Sequence, residues 1–485
     1  MKRLSLLVLV LIEFAVTSYG QSNPVLKVEG GQIQGVPTAT KGIIAYKGVP
    51  FAAPPVGNLR WKEPQPVVAW QGVKKADKEG PASLQTLWNP TSFYGKEWGA
   101  ADFKNFSEDC LYLNVYTPAA GDKTKKLPVA MWIHGGGYRE GFAYEPEMDG
   151  GVDWATRGVI LVQVTYRLGI FGFFSHPLLS AESAHKVSGN YGVMDQAAAL
   201  KWIYNNIEQF GGDPKNITVF GQSAGAGSVQ TLLASPISRK YIAKAISMSG
   251  GGLAGGNGGG MGGFGNSSLD SVAAGNKRMM DYFKKTTLQD MRALSFDELT
   301  KMSSDYSSAG RGRMGMMSPI TDNYFLMGSF SDAARANEIP DIPYMFGFTS
   351  NDMNDMSKAI ADFAALRNEK SKQPVYTYIF SRQLPEKQGV KSPGAFHSSD
   401  LWYIFHSLRH SWRPSTAGDQ ALSLKMVDFW TNFAKYGNPN GKATGVWTPY
   451  TKESPKFITL DVVEGDKASF VMTDKPKFLG GGMPR

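Results

Sequence analysis

The chain has 485 residues, with 51 Lys and Arg against 42 Asp and Glu, 42% hydrophobic and 12% aromatic residues, and a single cysteine. That much apolar and aromatic material builds a large core and excludes a disordered or fibrous protein. The net charge of +9 is scattered, as in Lys74-Lys75 and Lys123, Lys125 and Lys126. With no basic stripe interleaved with aromatics, no nucleic-acid partner is expected.

Residues 1–20 read as a secretory leader: Lys2-Arg3, an apolar run over 4–12, and a small-residue exit at Ser18-Tyr19-Gly20. The run is too short to span a bilayer, and no cysteine follows it to carry a lipid. The expected product is 21–485, periplasmic or secreted, with no integral membrane segment. Nothing after Pro24 reads as a linker, so one large domain with cap insertions is expected.

Extended runs at 25–34 and 42–46 predict antiparallel strands at one edge of a sheet. Short β-rich runs follow at Leu127–Ile133, 159–165, 217–220, 245–248, 342–348 and Val375–Phe380. Between them, 194–210 carries Leu200, Ile203 and Ile207 at helical spacing and stops at Gly211-Gly212 and Pro214. The small-residue stretch 226–235 also reads as helical. Such alternation predicts an α/β fold, a mostly parallel central sheet flanked by helices, with ligands at the C-terminal strand ends. The glycine-rich stretch 250–263 follows the run 245–248 and reads either as a plain insertion or as a mobile lid over the site. Met314 to Met317 could line the same pocket or fill the core.

The chemistry is carried by Gly221-Gln222-Ser223-Ala224-Gly225. A β-branched run precedes it and a helical stretch follows, the setting of a nucleophile elbow, where a sharp turn exposes the Ser223 hydroxyl. Upstream, the run Leu127–Ile133 ends in His134-Gly135-Gly136-Gly137. That loop can bring bare backbone N–H groups to a substrate carbonyl, so Gly136, Gly137 and Ala224 are the expected oxyanion donors. After Ser223 the hydrolase order requires an acid and then a histidine. His397, in a Gly/Ser-flanked loop after Val375–Phe380, is the candidate base, while His406 and His410 sit in or beside an aromatic stretch that suits structural histidines. Asp352 is the candidate acid because it lies nearest the end of the run 342–348; Asp355 competes.

At this point the residues resemble the type-B carboxylesterase and lipase family of α/β-hydrolases. Glu108-Asp109-Cys110-Leu111-Tyr112-Leu113-Asn114 is similar to one family signature and Phe220 to Val229 to its serine signature. Tyr46 to Ala52, Ser188 to Gly192, Phe210 to Pro214 and Trp430 to Ala434 also fit, so the match runs from about Val25 to about Lys475. The resemblance implies Ser223 as nucleophile, His397 as base and the same oxyanion donors, with no metal or other cofactor. It implies a serine carboxylesterase acting on small-molecule or polymer-linked esters through an acyl-enzyme. The alternatives are a non-catalytic binding protein on this fold, or an esterase specialised for polysaccharide-linked acetyl or feruloyl groups or for polyesters.

Three departures stand out. The family acid is usually Glu, where this chain offers Asp352. The acid-to-histidine spacing of 45 positions is shorter than the family norm, which predicts a more open site. The family's first disulfide has no partner here, so Cys110 is expected to be a buried small residue.

Overall fold

The computed structural model describes residues 23–86, 89–98, 103–253, 267–311, 317–387, 393–442 and 445–480. The leader at 1–20, most of the glycine-rich stretch and Met314 and Met316 lie outside the described residues.

An eleven-stranded sheet organises the chain. From one edge to the other its strands are Lys467–Thr473, Phe457–Val463, Val375–Phe380, Tyr344–Thr349, Lys244–Met248, Gly212–Gln222, Leu127–Ile133, Ile160–Val164, Tyr112–Thr117, Ile44–Pro50 and Val36–Pro37. From Phe457–Val463 to Ile160–Val164 every neighbouring pair is parallel, while the outer pairs on both sides are antiparallel.

Side-chain alternation along the central strands sorts the core onto two faces. Val129, Met131 and Ile133 join one apolar cluster, and Ala130 and Trp132 join the other. Both faces are covered, which is why Tyr344–Thr349 and Val375–Phe380 are buried at every residue and read as unbroken apolar runs. Tyr191–Asn206, Ala224–Ala234 and Ser357–Lys370 pack Leu200, Ile203, Val229, Leu232 and Phe363 on one side. Ala417–Tyr436 packs Leu422, Met426, Phe429 and Trp430 on the other.

The antiparallel edge expected from the run 42–46 is present, but the run 25–34 does not join it. Ile44–Pro50 and Val36–Pro37 form it, whereas Val25–Val28 and Gly31–Gln34 pair with each other and then with Val73–Lys75 in a separate three-stranded sheet. A tight turn at Glu29-Gly30, with Gly30 at φ +94°, joins the two strands of that hairpin. Between Lys244–Met248 and Tyr344–Thr349 the chain makes a helical excursion, Leu269–Tyr282, Leu288–Arg292 and Phe296–Ser308. Met279, Met280, Met291, Leu299 and Met302 give it a small methionine-rich core of its own against Ile170, Phe171 and Phe174.

The strand order reverses at Leu127–Ile133, which is flanked by the next strand in sequence on one side and by Gly212–Gln222 on the other. In open α/β sheets the crevice at such a switch point is where ligands bind, at the carboxyl ends of the strands. His134 follows one of these two strands and Ser223 follows the other.

Candidate active site

Gly212–Gln222 ends in a turn whose apex, Ser223, has φ 58° and ψ −122°, a conformation a side chain rarely adopts. Helix Ala224–Ala234 begins at the next residue. The turn fits only because of what flanks it: a Cβ on Gly225 would lie 2.1 Å from the Ile133 carbonyl oxygen. The loop after Leu127–Ile133 is tied down from both ends. The Tyr166 hydroxyl donates to the His134 carbonyl at 2.9 Å and its ring stacks on the His134 imidazole, which burial keeps neutral by lowering its pKa to about 4. Gly136 sits at φ +95° and its carbonyl accepts from the backbone N–H groups of Arg139 and Glu140.

That turn leaves donors unused. Among the described residues the N–H groups of Gly136, Gly137 and Ala224 have no protein acceptor, and all three residues line one cleft of about 370 Å³ together with Ser223 and His397. Tyr94, Trp98, Met148 and Leu401 give the cleft an apolar wall.

The His397 imidazole donates from Nδ1 to Asp352 Oδ1 at 2.6 Å. Asp352 is fully buried at the end of Tyr344–Thr349, and its carboxylate also accepts from the Thr349 N–H and hydroxyl and from the Met353 N–H. Burial alone would raise its pKa; the facing imidazole and these donors outweigh burial and hold it below the ordinary range. Asp355 is exposed and accepts from the Ser357 N–H, away from the imidazole. His406 and His410 pair with Asp153 and Asp149. Cys110 is a buried free thiol.

Ser223 and His397 face the same cleft without a hydrogen bond between them, and His397 Nε2 instead stands 3.2 Å from the amide nitrogen of Gln222. Catalytic hydrogen bonds are often long before substrate arrives.

Several groups around the site escaped the sequence reading. Asp400 is fully buried three residues after His397, accepts from the Tyr378 hydroxyl at 3.1 Å, and is pushed up to about 7 by burial and by the Asp352 charge. Glu145 and Glu147 line the cleft, both almost wholly buried; burial brings Glu145 to about 7, and burial together with the Glu145 charge holds Glu147 well above the ordinary carboxylate range. Their alternation with Pro146 in a loop gave no periodic signal. Asp400 was legible in principle as an acid at the start of the short helix Leu401–Ile404. Among the described residues no group of three His, Cys, Asp or Glu side chains could hold a metal ion.

A doubly covered parallel sheet, a strained serine after its central strand and a glycine loop after the adjoining one define an α/β-hydrolase, and the solved structures agree. A thermophilic PNB esterase superposes with a TM-score of 0.74 at 28% identity, over 93% of this chain and 98% of that one. The sequence profile of the carboxylesterase family matches residues 22–369 and 353–478, and the chain belongs to that family. Human cocaine esterase is 29% identical over 538 aligned positions, 95% of this chain and 92% of that protein. Fumonisin B1 esterase of Sphingopyxis macrogoltabida is 43% identical over 218 positions, 45% of this chain and 38% of the other. The protein is a carboxylic ester hydrolase, and the non-catalytic alternative is set aside.

Proposed function

We propose that the protein is an exported serine carboxylesterase working through Ser223, His397 and Asp352. The observation that carries this is the 2.6 Å contact between His397 Nδ1 and buried Asp352 at the cleft that also holds the strained Ser223. With Nδ1–H committed to Asp352, His397 Nε2 is the basic nitrogen that takes the Ser223 proton as the hydroxyl attacks an ester carbonyl. The tetrahedral oxyanion meets the three unused N–H groups of Gly136, Gly137 and Ala224, where loss of one such donor typically costs about 10²–10³ in kcat. The alcohol leaves with the proton from His397, and water, deprotonated by the same imidazole, releases the acid from Ser223.

Residues 1–20 are proposed as the export leader and 21–485 as one catalytic domain with cap insertions. Among the described residues no helix is long and apolar enough to cross a membrane. The test is hydrolysis of 4-nitrophenyl esters from acetate to palmitate by the 21–485 protein beside Ser223→Ala. Turnover abolished by the substitution is expected; turnover that survives it would reject Ser223 as the nucleophile.

A further inference from the structure

The catalytic cleft does not end at the elbow. Arg139, Glu140 and Met317 line both that cleft and a second groove of about 680 Å³, so the two lie side by side. This second arm is far more room than a simple acyl or alkyl group needs.

Its lining is amphipathic in a particular way. Leu168, Ile170 and Leu299 give an apolar floor. One wall is the helix Phe296–Ser308, whose Thr300, Ser303, Ser304 and Ser307 fall at i, i+3, i+4 and i+7 and so share a face. Leu299, Met302 and Tyr306 hold the rest of that helix in its methionine-rich core. None of the four hydroxyls has a protein partner among the described residues. Gln85, Thr86 and Asn89 add polar groups to the lining. The only ionisable side chains of the described lining are Arg139 and Glu140, whose carboxyl is pushed up to about 7 by burial.

A hydrocarbon chain would use the floor and waste the hydroxyl wall. A charged polymer would find a single Arg139–Glu140 pair and no row of charges to answer it. A sugar ring, with apolar C–H faces and hydroxyl edges, matches both surfaces. In the catalytic arm the Tyr94 and Trp98 rings stack nearly parallel, with centroids 5.9 Å apart.

We propose that this second groove is the subsite for a neutral polyhydroxylated alcohol, so that the preferred substrate is an O-acylated oligosaccharide. Its acyl carbonyl sits at Ser223 and its sugar rings run past Arg139 and Glu140 along the hydroxyl face of Phe296–Ser308. This rests on the serine-esterase reading above. The bond between the acyl carbon and the sugar oxygen breaks, that oxygen takes the proton from His397, and water supplies the hydroxyl of the released acid.

The test compares acetylated xylo-oligosaccharides with 4-nitrophenyl acetate, using the wild type and Ser303→Leu/Ser307→Leu, which changes the groove wall only. In the double variant kcat/KM for the oligosaccharide ester should fall about tenfold or more while that for 4-nitrophenyl acetate stays within about twofold. As a binding check independent of turnover, unacetylated xylotetraose should inhibit 4-nitrophenyl acetate hydrolysis by the wild type, and do so more weakly in the variant. A wild type active on 4-nitrophenyl acetate but inert toward the oligosaccharide ester, or a variant that changes both substrates equally or neither, overturns the subsite and leaves the esterase standing. Inertness toward both substrates overturns the serine-esterase reading as well.

Discussion

The amide of Gln222 stands beside His397 Nε2, the nitrogen proposed to take the Ser223 proton. Because His397 donates Nδ1–H to Asp352, its Nε2 carries a lone pair, and the Gln222 amide at 3.2 Å can donate to it. The proposed base thereby rests against a neutral partner. Asp352→Asn should lower kcat on 4-nitrophenyl acetate by about 10⁴, the scale seen when a triad acid loses its charge. Asp355→Asn, at an exposed turn, should leave it unchanged. Asp400 offers a stability readout. In the folded protein its carboxyl titrates near 7, whereas in the unfolded chain it returns to the ordinary carboxylate range. Between those values the folded state keeps the proton and the unfolded state releases it, so stability falls as pH rises from about 4 to about 7. The contribution is of the order of 4 kcal/mol once Asp400 is ionised. Thermal unfolding of Asp400→Asn against wild type should show the variant gaining relative stability across that window.

At the scale of elements, local chemistry sets the ends of the pieces that hold the site. Helix Ala417–Tyr436 starts with Thr416 capping the Asp419 N–H while the Asp419 carboxylate reaches back to the Thr416 N–H, and it stops at Gly437 with φ 68°. Thr416→Ala should cost about 1 kcal/mol, read from the urea-unfolding midpoint. The parallel strands, the elbow and the helix after it were legible because a fully buried strand is a continuous β-rich run and an elbow needs small residues at fixed offsets. The strand expected over 217–220 begins earlier, at Gly212, because Gly212 already pairs with Leu127 ahead of an irregularity in the ladder. Phe457–Val463 and Lys467–Thr473 were not anticipated: the latter is an edge strand with no fully buried residue, so its pattern carries little contrast. The cleft's buried acids were illegible for another reason. Glu145 and Glu147 look like surface charges in sequence, yet tertiary packing buries both at the cleft.

Over the whole molecule, stability comes from two apolar layers rather than from covalent cross-links. The chain has one cysteine and it is buried, so no internal disulfide can form. The melting temperature should be the same with and without dithiothreitol, as differential scanning calorimetry would show. Buried ion pairs join distant segments instead. Arg167 meets Asp195 through two hydrogen bonds of 2.8 and 2.7 Å, and Arg413 meets Glu97 at 3.0 Å. Removing one partner of such a pair strands the other; Glu97→Ala should cost roughly 3–5 kcal/mol in equilibrium unfolding.

The switch-point arrangement also sets when the enzyme comes alive. The glycine loop, the serine, the acid and the histidine lie on four separate connections spanning residues 134 to 397, and they meet only along one rim of the parallel sheet. Parallel pairing closes long loops before it is rewarded, so it comes late in folding. Esterase activity is then a reporter of finished topology: on refolding from urea, helical signal should return first, and turnover only when the last central strand has docked.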